Sequence, residues 1–221
     1  MSGRLRALCL LAVVLGCPPA HAASPELAPY ESFAHGAAAE RVLAVAREAL
    51  CVAAGRCDSL RASAPDWPAA PRPLFVTLAH GRSTRACLGR DEPHGSLGDS
   101  VRELAREALS GDRRRPPVRA EELDSLRVLV AFAGEARAVS DPYAVNPMRE
   151  GLRIETERGI VAFLPGEART VAWALSEARR IGVLGRMSDA RFSRFDAVVL
   201  SGPAVVAAGH VVNPASPEAQ P

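Results

Sequence analysis

Cys87 is the residue whose type and neighbours first suggest chemistry. It stands in the run Arg85-Ala86-Cys87-Leu88-Gly89, which has strand character. Along a strand, side chains two apart share a face at about 6.6 Å spacing. Arg85 and Cys87 are therefore expected on one side, where a guanidinium favours the thiolate and lowers the thiol's pKa. A nucleophilic or redox thiol also needs a base, and His80 and His94 in the flanking loops are the imidazoles within reach. The competing reading is packing, because cysteine in a core behaves as a small, deeply buried hydrophobe. A second group is cationic. Arg85, Arg90, Arg113 and Arg115, the last two in the run Arg113-Arg114-Arg115, are candidate ligands for a carboxylate or phosphate. The alternative is a solvated loop neutralised by Asp91, Glu92 and Asp112.

Other chemistries fail on composition or spacing. All 27 basic residues are arginine, which excludes Schiff-base catalysis and any phosphate loop ending in Gly-Lys-Ser/Thr. The formal charge is +2, and no basic stripe marks a nucleic-acid partner. His94-Gly95-Ser96-Leu97-Gly98 approaches a nucleophile elbow but carries His where its first Gly is required. His35, His80, His94 and His210 are scattered, without His-x-x-x-His or Cys-x-x-Cys, so neither a metal nor a cofactor is expected.

The elements that must position these residues begin after an export pattern. Arg4 and Arg6 precede the apolar run 7–16, and Ala20-His21-Ala22 offers the small residues of a peptidase site. Ten apolar residues span about 15 Å as a helix against about 30 Å for a bilayer core, so no integral span is read here. Cleavage after Ala22, giving a periplasmic or secreted chain, is favoured over lipidation at Cys17 in Val14-Leu15-Gly16-Cys17. Of the three cysteines beyond residue 22, Cys51 and Cys57 flank Gly55 closely enough to pair, leaving Cys87 free.

Residues 23–39 read as a polar lead-in. Helical periodicity marks 37–54, 97–109 and 170–181. Strand-like runs at 74–79 and 84–89 are read as a hairpin around His80-Gly81-Arg82-Ser83, and a second hairpin joins 151–156 to 160–164. Further strands are read at 126–133, 191–200 and 204–212, ahead of a disordered tail at 213–221. Strands joined by short turns, without strict βαβ alternation, predict an α+β domain with a mostly antiparallel sheet flanked by about three helices. With aromatics at 5%, its core must rest on Leu, Val, Ala and Ile.

The run Phe75-Val76-Thr77-Leu78 followed by Arg85-Ala86-Cys87-Leu88-Gly89 resembles the signature of the AMMECR-type domain family. The similarity continues through 97–108, the loop 112–118, Glu121-Glu122-Leu123, 126–130, Ser140-Asp141-Pro142, 151–154 and Leu164-Pro165. Residues 40–200 thus follow the family's order, with 201–212 as a strand extension. Departures fall at Thr84, Ala86 and Leu88 and in Gly166-Glu167-Ala168-Arg169, where the family usually continues Gln-Val-Ala. The resemblance implies the family's α+β fold and association with a Memo-type or radical-SAM protein. It does not settle an activity. The favoured reading is a non-catalytic binding or accessory domain with a cleft around Cys87 and Arg85. The alternative is a thiol-dependent enzyme using Cys87, with Arg85 and His80 in support.

Overall fold

Helix-forming periodicity and caps account for the helices of the computed structural model, which describes residues 24–59 and 61–205. The export pattern, Cys17 and the tail, together with most of the expected strand 204–212, lie outside the described residues. Helix α2 (Ala37–Ala53) buries Val42, Leu43, Ala46, Ala49 and Leu50 along one broad face. At its end Gly55 turns the chain with φ +68°, and Cys51 is bridged to Cys57 with their Cα atoms 5.3 Å apart. Helix α3 (Leu97–Ala108) starts where Ser96 Oγ accepts the Asp99 N–H. Its stripe of Leu97, Val101, Leu104, Ala105 and Ala108 is buried.

These helices cover one face of an antiparallel sheet ordered β2-β1-β3-β8. Its strands are β1 (Leu74–His80), β2 (Ser83–Arg90), β3 (Arg127–Ala133) and β8 (Ala197–Pro203). β1 is buried from Leu74 to Ala79 without alternation because both of its faces are covered. Leu74, Val76 and Leu78 pack towards the helices, whereas Phe75 joins a separate cluster on the other face. A second antiparallel sheet is ordered β4-β7-β5-β6. It comprises β4 (Arg137–Val139), β5 (Gly151–Thr156), β6 (Gly159–Phe163) and β7 (Arg191–Phe195). Helix α4 (Val171–Arg180) shares the core formed by Leu152, Ile154 and Phe163.

Three differences from the sequence-based expectation have physical causes. The sheet is two sheets. The run 191–200, expected as one strand, is broken at Asp196, so that β7 joins the second sheet and β8 the first. The buried Asp196 carboxylate marks the crossing point, accepting Ser24 Oγ at 2.5 Å and Arg137 Nη2 at 2.8 Å. Third, the polar lead-in contains helix α1 (Ala28–Ala34). Seven residues are too few to display a helical stripe. One side chain anchors the helix: Tyr30 is fully buried against Phe132, ring centroids 4.7 Å apart, and donates to the Ala70 carbonyl at 2.7 Å.

Candidate functional site

The site grows from one register. In the β1–β2 pairing, Phe75 lies opposite Gly89 and Thr77 opposite Cys87. A Cβ on Gly89 would sit 2.2 Å from the Phe75 ring, so only glycine lets the ring lie across its partner strand. The second sheet repeats the device: Gly151 pairs with Phe195, whose ring would be 2.2 Å from an added Cβ. The two rings stack at 6.2 Å with planes 7° apart. This double aromatic–glycine contact joins the sheets where Cys87, Ala131 and Leu164 also pack. Beside it opens a cleft of about 950 Å³, lined among others by Phe75, Cys87, Arg113, Arg153 and Ile160.

β2 is an edge strand, and a loop closes part of that edge. The Cys87 N–H donates to Asp112 Oδ2 at 2.8 Å, and Arg114 Nη2 donates to the Cys87 carbonyl at 3.3 Å. Asp112 also accepts the Arg114 N–H at 2.9 Å and Arg114 Nε at 3.0 Å. Arg114 Nη1 continues to Glu167 Oε1 at 3.2 Å. Glu167 is held by the Leu164 N–H at 3.0 Å, and the neighbouring Thr84 acts to lower its carboxyl. Thus Thr84 and Glu167, two departures from the resembled pattern, meet here.

Electrostatics at Cys87 run against a thiolate. Burial pushes its thiol up to about 12, with Glu167 adding to the rise, while Arg114 and the Thr77 hydroxyl oppose it. Thr77 Oγ1 lies 3.1 Å from Cys87 Sγ, and the residue is 8% exposed. Burial opposes charge on Asp112 too, but the Arg114 hydrogen bonds outweigh it and hold that carboxyl below its usual range. At Glu167 burial prevails over Arg114 and raises the carboxyl.

The expected site residues are not brought together. Arg85 does not serve Cys87. Its Nε and Nη2 donate to Glu122 at 2.6 and 3.0 Å, and its other contacts are the Pro116 and Pro117 carbonyls. The guanidinium beside the thiol belongs to Arg114. Arg90 is held by Glu103 at 2.7 Å and Glu107 at 3.5 Å. Arg113 lines the cleft with Cys87, while His80 and Arg115 line a different cavity. His94 lines neither and instead accepts Ser100 Oγ through its carbonyl. Among the described residues, no group of three or more His, Cys, Asp and Glu is placed to hold a metal.

The network joining Asp112, Arg114 and Glu167 and the two aromatic–glycine pairs escaped sequence reasoning, which read Arg114 only as part of a cationic run and Asp112 as an acid neutralising it. The Asp-x-Arg spacing at 112–114 suits a carboxylate that accepts a backbone N–H two residues on, a signal present in the chain. Nothing local marks Glu167, which lies 53 residues from Arg114.

The family model described as AMMECR1 matches residues 43–197. A protein from Methanothermobacter thermautotrophicus is 34% identical over 119 residues, 51% of this chain and 62% of its own length. One from Methanocella arvoryzae is 34% identical over 92 residues, 38% of this chain and 46% of its own length. The chain thus spans less than two thirds of these relatives. The crystal structure of an uncharacterized protein from Pyrococcus horikoshii superimposes with a TM-score of 0.55 at 21% identity, covering 74% of this chain and 91% of that one. At that identity the likeness concerns the fold.

Proposed function

For a chain that belongs to the AMMECR1 family, we propose a non-catalytic binding or accessory role, in which the cleft between the two sheets receives a small ligand or a segment of a partner. One observation carries this reading: the candidate nucleophile is buried and held protonated, its thiol pushed up to about 12. At neutral pH the thiolate fraction of such a group is negligible, and the thiolate is the attacking species. Of the two candidate bases, His80 lines another cavity and His94 lines neither. The cleft wall combines aromatic and aliphatic surface with the guanidiniums of Arg113 and Arg158, a lining suited to binding a ligand with apolar and anionic parts.

The same reading has the chain exported, with Memo-type or radical-SAM proteins as partners on the family resemblance. Export is supported by the Cys51–Cys57 bridge, a bond that persists in oxidising compartments. Intact mass of the chain recovered from its native host tests it: loss of residues 1–22 is expected, and an unprocessed cytosolic chain refutes export.

Iodoacetamide labelling of the native, non-reduced protein across about pH 5 to 9 tests the role of the thiol. Cys87 is expected to stay unmodified until the protein unfolds. Rapid single labelling below about pH 8.5 would restore the thiol-enzyme reading.

A further inference from the structure

The Asp112–Arg114 network touches a second cavity, of about 450 Å³. Its walls come from separate segments: Arg82 and Ser83 between and at the ends of β1 and β2, Arg115 just past the network, and Arg169 and Trp173 at the start of α4. Every carboxylate lining it is already engaged. Asp112 and Glu167 both accept from Arg114. Glu177 accepts Arg180 Nε at 2.8 Å and Nη2 at 2.7 Å. Arg82, Arg115 and Arg169 are exposed, and among the described residues none has a carboxylate within ion-pair distance. Arg115 acts on Glu177 only through space. With Arg180 included, five guanidiniums stand against three carboxylates at this place. Burial raises the Glu167 carboxyl, which trims the negative side further.

Unpaired guanidiniums gathered at one mouth repel one another until a counter-charge joins them. Their planar forks match the paired oxygens of carboxylate and phosphate groups. Trp173 is 42% exposed and supplies an apolar wall next to them. The volume lies at the small end of the range for ligand cavities. We propose that this second cavity binds a small oxyanion, a phosphate or carboxylate group on a compact ligand, through Arg82, Arg115 and Arg169 against the Trp173 indole. It adjoins the inter-sheet cleft through Asp112 and Arg114 but is not lined by Cys87.

Trp173 provides the readout. Inorganic phosphate and citrate are titrated separately into the full-length protein at low salt, followed by tryptophan fluorescence and calorimetry. At least one is expected to saturate in the millimolar range or below. Phosphate alone would assign the site to phosphoryl groups, and citrate alone to carboxylates. Trp173→Phe should remove the optical change while heat of binding remains. Arg115→Ala combined with Arg169→Ala should weaken binding about tenfold or more, since charged hydrogen bonds are lost. Arg90→Ala, whose guanidinium is already held by Glu103 and Glu107, should bind as the parent does. The substituted side chains are exposed, and an unchanged melting temperature verifies folding. The proposal is overturned by no saturation with either anion below about 50 mM, by equal affinity in the double variant, or by chloride reproducing the response.

Discussion

Arg114 has a side chain only 10% exposed, and its guanidinium meets Asp112, Glu167 and the Cys87 carbonyl. Removing it strands two carboxylates whose own exposures are 5%. Arg114→Ala is therefore expected to destabilise the fold by about 3–5 kcal/mol, the usual cost of leaving a buried charge unpaired. Arg114→Lys should recover only part of this, since an ammonium cannot fork between two acids and a carbonyl. Urea unfolding midpoints of the two variants check both statements. Arg85 makes the opposite case, in which an ion pair acts through pH. It holds the Glu122 carboxyl at about 2 against an ordinary 4.5, with the Arg119 N–H assisting. A carboxyl whose pKa falls on folding stabilises the fold above its unfolded value, and this contribution is lost as pH falls from 4.5 through about 2. Glu26, Glu155 and Glu177 are lowered as well and add to the slope. Glu167, raised by burial, opposes it. The protein should thus lose stability between about pH 5 and about pH 3. Arg85→Ala should lose less over that interval, which unfolding curves at both pH values would show. An equal loss in both proteins would contradict the pairing.

At the level of elements, the β1–β2 hairpin is more than a carrier of Cys87. Its outward register sets Phe75 across Gly89, and the β5–β7 pair sets Phe195 across Gly151. Each ring covers a glycine on the neighbouring strand, and the rings meet each other. Gly89→Ala must displace Phe75, which is 8% exposed and has little room to move. The expected cost is about 1–3 kcal/mol from overpacking. Combining Gly89→Ala with Phe75→Leu should recover part of that cost, because the smaller side chain vacates the clash. A double-mutant cycle on melting temperature measures the coupling. Additive losses would mean that the ring and the glycine do not meet.

On the scale of the whole molecule, two sheets with separate helix-backed cores are joined by the stacked rings, the Arg114 network, the Arg153–Asp91 ion pair and the chain crossing at Asp196. Asp196 fixes that crossing through Ser24, Arg137 and the Gly134 N–H that donates to its carbonyl at 2.8 Å. Asp196→Ala should loosen the second sheet where it meets the first. Hydrogen exchange is expected to quicken in Arg137–Val139 and Arg191–Phe195 more than in Leu74–His80, whose backbone pairs with β2 and β3 on both sides. Uniform acceleration across all three would place the effect on global stability instead.

The helices α2, α3 and α4, both hairpins, the Cys51–Cys57 bridge and the α+β class were legible in the chain. Each depends on periodicities, caps, turns or pairings within a few residues. Family membership was legible too, through the order of many short matches rather than any one of them. The partition into two sheets was not, because no glycine or proline interrupts the run 191–200 and only the packing around Asp196 decides where it changes partners. The environment of Cys87 was also beyond the sequence. Strand alternation placed Arg85 near it, yet Glu122 draws Arg85 away from a distance of 37 residues. Arg114 takes its place because Asp112 and Glu167 fix it there. Local spacing determines which faces side chains occupy. Whether a thiol on such a face is activated or held protonated depends on burial and on charges from distant segments, and tertiary structure alone brings these together.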